Sequence, residues 1–198
     1  MSYPYSKGYN LTNTAFYSII KFIKSTFLLK GGIVMQTIVK DKTCCFFGHR
    51  KIDETEELKH NLYEIIENLI VNEKVDTFLF GSKSEFDELC HKTVTELKEK
   101  HHHIKRIYVR AEYPYIKEDY KAYLLKSYED TYFPERIINS GRACYIERNC
   151  EMINKSSFCV VYYDENYIPS KPKNSGTKLA YDYAIKKKRT IINLVSCY

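Results

Sequence analysis

Thr43-Cys44-Cys45-Phe46-Phe47-Gly48-His49-Arg50 is an apolar run of strand length that stops at a glycine turn. Asp53 and Glu56 follow at the spacing of a helix capping box. Leu58, Leu62, Ile65, Ile66, Leu69 and Ile70 then recur every three or four residues, which gives a helix one buried face. Strand, tight turn and amphipathic helix in that order make half of a βαβ unit, and the chain beyond repeats the pattern.

Asp76 to Phe80 reads as the second strand and ends at Gly81. Ser84 and Asp87 repeat the cap spacing, and Phe86, Leu89, Cys90, Val94 and Leu97 form the next apolar stripe. Ile104 to Val109 is a third strand. A polar, tyrosine-rich stretch from Glu112 to Phe133 follows, with a helix expected from Lys117 to Tyr128 that turns Tyr120, Tyr123, Leu124 and Tyr128 inward. Phe158 to Tyr163 is almost continuously apolar, as in a strand buried on both faces. The loop Asp164 to Ser175 holds Pro169 and Pro172 and breaks regular structure. Gly176 opens a last helix, which carries Leu179, Ala180, Tyr183 and Ala184 inward. It closes on Lys186-Lys187-Lys188-Arg189, where cations suit the negative end of the helix dipole. Thr190 to Val195 is the final strand. Residues 35–198 are therefore expected to form a Rossmann-like three-layer α/β sandwich with a mostly parallel central sheet.

With 198 residues, 44% of them hydrophobic and 28% charged, the chain has the make-up of one compact domain. Folding at this size buries roughly 70% of the unfolded surface, so a core is available without disulfides or metal. The formal charge is +6, but residues 1 to 34 supply four lysines and no acid, which leaves +2 for the rest. A near-neutral body without a basic stripe argues against a nucleic-acid partner. The seven cysteines are odd in number and contain no CxxC pair, so they read as small buried hydrophobes in a reducing, cytoplasmic setting. Ala15 to Leu29 is apolar but is interrupted by Lys21 and Lys24 and is too short to span a bilayer. Lys30 to Met35 can be encoded by a stretch holding a bacterial ribosome-binding site before an ATG. Residues 1–34 are accordingly expected to be a leader or an extension outside the core.

Ligands of such sheets sit beyond the carboxyl ends of the strands, where loops enter helix amino-termini. Gly48-His49-Arg50, Gly81-Ser82-Lys83-Ser84 and Asn174-Ser175-Gly176-Thr177 each join glycine with small hydroxyl or basic residues. That composition suits phosphate oxygens held by backbone amides. Single residues keep two readings. Asp87 is a ligand residue or the acid of the cap begun by Ser84, and His49 is a general base or a turn residue bonded to backbone. Arg148 is a phosphate partner beside Asn149 or one half of an ion pair. His101-His102-His103 cannot all face one ion from regular structure, so no metal site is expected, and no cofactor. The 19 tyrosines are scattered as in amphipathic packing rather than gathered as a base-stacking surface. Exposed-looking aromatics between Tyr113 and Phe133 point to a homodimer.

Four motifs carry a resemblance. These are Thr43 to Arg50; Phe80-Gly81-Ser82 with Glu85-Phe86-Asp87; Arg148-Asn149 with Met152; and Asn174 to Thr177. Together, over residues 42 to 194, the chain resembles the SLOG superfamily in its YpsA-like branch, related to the DNA-processing protein DprA and the Lonely Guy phosphoribohydrolases. The resemblance implies a nucleotide-like ligand with Gly48, His49 and Arg50 on the phosphate side and Gly81, Ser82 and Asp87 as a second wall. Arg148 and Asn149 would reach in from a helix, and Gly176 and Thr177 would close the pocket. Ser82 and Glu85 stand where the family has glycines, and Ala180 stands where the phosphoribohydrolases have their catalytic Glu. The expected function is therefore binding of a nucleotide or nucleotide-derived small molecule as a sensor or sequestering module. The alternatives are an N-glycosidic hydrolase of nucleoside monophosphates, using Asp87 or Glu85 to stabilise a ribosyl cation, and a DprA-like binder of single-stranded DNA.

Overall fold

Successive side chains of a strand point to opposite faces, so a strand that is apolar at every position needs cover on both. Strand β1 (Thr43–Gly48) meets that demand: Cys44 and Phe46 enter one core, Cys45 and Phe47 the other, and all four are buried. The computed structural model describes residues 42–81, 83–166 and 175–197. The expected leader, residues 1–34, lies outside them, as do Ser82 and Asn174.

The remaining elements are α1 (Glu56–Val71), β2 (Thr77–Phe80), α2 (Glu85–Lys100), β3 (Lys105–Val109), α3 (Glu118–Leu124) and β4 (Asp130–Tyr132). After them come α4 (Arg142–Lys155), β5 (Phe158–Tyr162), α5 (Gly176–Lys186), β6 (Thr190–Asn193) and a 3-10 turn, Leu194–Cys197. Six strands form one all-parallel sheet in the order β4-β3-β2-β1-β5-β6. This is a Rossmann-like α/β fold. Helices α1 and α2 cover one face as the chain steps from β1 towards β3, and α4 and α5 cover the other once it returns to β5. One core packs Leu62, Ile66, Phe86 and Val94 on Phe46, Phe78 and Phe80; the other packs Met152, Ile153, Ala180 and Ala184 on Phe47, Cys159 and Val161. Burying a single Leu or Phe contributes about 1.5–3 kcal/mol, so these two layers dominate the stability.

Most expected boundaries move by a residue or two, and three differ for physical reasons. Thr55, rather than Asp53, caps α1: its hydroxyl accepts the Leu58 N–H at 3.1 Å. The helix expected from Lys117 to Tyr128 ends at Leu124, because Tyr128 turns into the core against His91 (4.7 Å between ring centres), Tyr108 (5.2 Å) and Phe80 (6.0 Å). Downstream of it β4, three residues long and too short to show alternation, adds an unforeseen edge strand. The last strand stops at Asn193 and gives way to the 3-10 turn.

Cys44, Cys45, Cys90, Cys144 and Cys159 are buried free thiols, and the register partners Cys45 and Cys159 touch at 3.6 Å between sulfurs. His101 terminates α2, with His102 and His103 exposed beyond it. Tyr113, Tyr115, Tyr120 and Tyr123 are exposed, Tyr115 at 93%. Among the described residues, no helix is long and apolar enough to cross a membrane.

Candidate functional site

The strand order reverses at β1 and β5. The chain leaves β1 for a helix on one face and β5 for a helix on the other, so the two loops diverge and open a crevice at the carboxyl edge. Backbone bonds fix its floor. His49 N–H donates to Tyr162 O at 3.1 Å, and the Thr177 hydroxyl, in the first turn of α5, donates to Gly48 O at 2.8 Å. A cavity of about 230 Å³ lies here, lined by His49, Lys51, Ile52, Asp53, Tyr162, Asp164 and Val195.

Gly48 is glycine because of packing: a Cβ there would lie 2.5–2.9 Å from side-chain atoms of the fully buried Phe86. His49 is 3% exposed, and its Nε2 accepts the Asp164 N–H at 3.0 Å, so the ring proton sits on Nδ1. Burial lowers its pKa from the ordinary 6.5, against the opposing pull of Asp164; His91 is lowered in the same way. The native state thus resists protons that the unfolded chain takes up near pH 6.5, and stability falls as pH drops below that value until the folded pKa is passed. Urea midpoints measured from pH 7.5 to 5 should decline through this window, and His49→Gln should flatten the decline.

The second loop is built around Arg148 of α4. Only 4% exposed, its guanidinium donates from Nη1 to Gly81 O and from Nε to Asn149 Oδ1 at 3.0 Å, and it lies 5.7 Å from the Tyr145 ring centre. Burial pulls its pKa down, while Asp87 and then Tyr108 push it back up. A Cβ on Gly81 would stand 2.8 Å from Arg148 Nη1 and 2.8 Å from Val109 O, so glycine makes room for the guanidinium. Asp87, 3% exposed, gives its N–H to the Ser84 hydroxyl at 3.1 Å, which is the expected cap.

Gly48, His49 and Thr177 therefore meet at the β1–β5 crevice, and Gly81, Asp87, Arg148 and Asn149 form a neighbouring group at the end of β2. Arg50 is exposed; its carbonyl accepts the Glu85 N–H at 3.0 Å, which ties the first loop to the start of α2. Glu85 is held by the first loop, its carboxylate accepting from Lys51 Nζ and from Ile52 N–H at 3.1 Å, and both bonds hold its pKa down. Gly176 is exposed, with open space where a Cβ would stand, and Ser175 makes no side-chain cap bond to α5. Ser82 lies outside the described residues. Lys51, Asp53, Tyr162, Asp164 and Val195 line the cavity but carry no glycine signature. Only their position just past β1, β5 and β6 could have indicated them.

Comparisons with protein-family models and with curated proteins give no match. Among solved structures the chain is similar to DNA processing protein A from Helicobacter pylori, described for its unique mode of binding single-stranded DNA, with a TM-score of 0.50 at 12% identity. The match covers 78% of this chain and 65% of that one, so the chain spans just under two thirds of that protein's length. At this identity the likeness concerns the fold. It nevertheless overturns the argument against a nucleic-acid partner, since a protein of this fold binds single-stranded DNA. Net charge sums the whole surface, whereas phosphate contacts need only a local group of cations.

Proposed function

We propose that the protein binds a nucleotide or nucleotide-derived small molecule in the β1–β5 crevice, as a sensor or sequestering module. The carrying observation is the cavity at the point where the strand order reverses, beyond the ends of β1, β5 and β6, lined by His49, Lys51, Asp53, Tyr162 and Asp164. The ring of Tyr162 and the carboxylates of Asp53 and Asp164 suit an aromatic base and sugar hydroxyls, and the Lys51 ammonium suits an anionic group. The SLOG-type, YpsA-like reading of the motifs is consistent with this arrangement. Hydrolysis is less well supported: Ala180 is buried in the core, Glu85 is engaged by Lys51 and Ile52, and Asp87 is buried beside Arg148.

A thermal-shift series with nucleoside monophosphates, diphosphates and nucleotide sugars tests the reading. A ligand at 100 times its Kd adds about 2.7 kcal/mol, which raises Tm by roughly 5–10 °C for a domain of this size. A flat series across all three classes would count decisively against it. The second reading, binding of single-stranded DNA, is supported by the likeness to the Helicobacter pylori protein. It expects an oligonucleotide to bind where mononucleotides leave Tm unchanged.

A further inference from the structure

We infer that the amino-terminal edge of the sheet, opposite the crevice, is a second binding surface that takes the phosphodiester backbone of single-stranded nucleic acid. Lys42 immediately precedes β1, Lys155 closes α4 just before β5, and Lys186, Lys187 and Lys188 lie at the end of α5 just before β6. The strand starts are locked side by side: Ser157 N–H donates to Thr43 O and Thr190 N–H to Ser157 O, both at 3.0 Å. Neighbouring strands are about 4.8 Å apart, so the three lead-ins fall within roughly 10 Å of one another. All five lysines are exposed.

Two nearby acids are paired with lysines, which leaves Lys42, Lys186, Lys187 and Lys188 as the four cations that meet the phosphates. Glu151, 12% exposed at its side chain, pairs with Lys155 at 3.5 Å, and Asp182 pairs with Lys178 a turn away. Asp76, beside Lys42, accepts from the Thr77 hydroxyl. Among the described residues no carboxylate comes within ion-pair distance of Lys42, Lys186, Lys187 or Lys188. Cations at a helix carboxyl end complement the dipole, but that effect fades within the last turn. It accounts for one cation at each of α4 and α5 and not for three in succession or for Lys42. An anionic membrane would call for an apolar face beside the charge, and Ile185 is the sole exposed large hydrophobic residue described on α5. A flexible polyanion needs none.

The experiment is fluorescence anisotropy of a labelled 30-nucleotide oligothymidylate with the full chain from 50 to 200 mM salt. Neutralising about four phosphates gives a log-log slope near −2.8, an affinity loss of roughly fifty-fold across that range. Lys186→Gln/Lys187→Gln/Lys188→Gln should lower the slope by about two. If that variant melts early, Lys42→Gln/Lys155→Gln should lower it by about one. No binding at 50 mM salt, binding only to phosphatidylserine vesicles, or slopes unchanged in the variants would overturn the assignment. Because these residues lie at the far edge from the crevice, the same variants should leave any nucleotide-induced rise in Tm intact.

Discussion

Arg148→Ala should lower the unfolding free energy by about 3–5 kcal/mol, as when a buried, hydrogen-bonded cation is removed and a buried carboxylate in its field is left behind. The guanidinium is almost wholly buried beside Asp87 and donates to Gly81 O, so truncation removes a cation, leaves a carbonyl short of its donor and opens a void under Tyr145. Most of the loss arises from the buried Asp87 carboxylate, which no longer has that guanidinium. The double variant Asp87→Asn/Arg148→Met should therefore recover a substantial part of it. Urea unfolding of the wild type, Arg148→Met, Asp87→Asn and the double variant measures the coupling directly. Additive losses would show that Arg148 and Asp87 act separately. Arg148→Lys should rescue only partly, because an ammonium cannot reach Gly81 O and Asn149 Oδ1 with the geometry of the planar fork.

Gly48→Ala should cost about 1–3 kcal/mol even though it adds one methyl group to a strand end. The added carbon would meet Cβ, Cγ and Cδ1 of Phe86, whose ring is fully buried and stacks beside Tyr162 at 5.7 Å between centres. Phe86 lies in the first turn of α2, so pushing it outward also disturbs the Ser84 cap and the Arg50–Glu85 bond that joins the two loops. Phe86→Ala, which removes Cγ and Cδ1 and is destabilising by itself, should cost less in the Gly48→Ala background than in the wild type. Chemical denaturation of the single and double variants checks this, and a clash located elsewhere would leave the two losses additive. The crevice should suffer with the fold, since Gly48 O is the acceptor for Thr177.

Which segments are strands and which are helices was legible from local pattern wherever that pattern was long enough to be periodic. The six apolar positions of α1, the Ser84 cap and the continuous run of β5 are local properties of neighbouring residues, and physics close to the backbone enforces them. Local pattern also put Gly48 and Gly81 at the ends of strands and Gly176 at the start of the last helix. Long-range packing settled the rest, because the partners concerned are distant in sequence. Tyr128 left its helix for Phe80 and His91, β4 became a strand only by pairing with β3, and the Arg148 guanidinium chose a carbonyl 67 residues away. The same holds for the cavity, whose walls come from the ends of β1, β5 and β6, and for the five edge lysines, which only the sheet brings side by side. Periodicity reports which face of an element is buried; it carries no information on which remote group that face will meet.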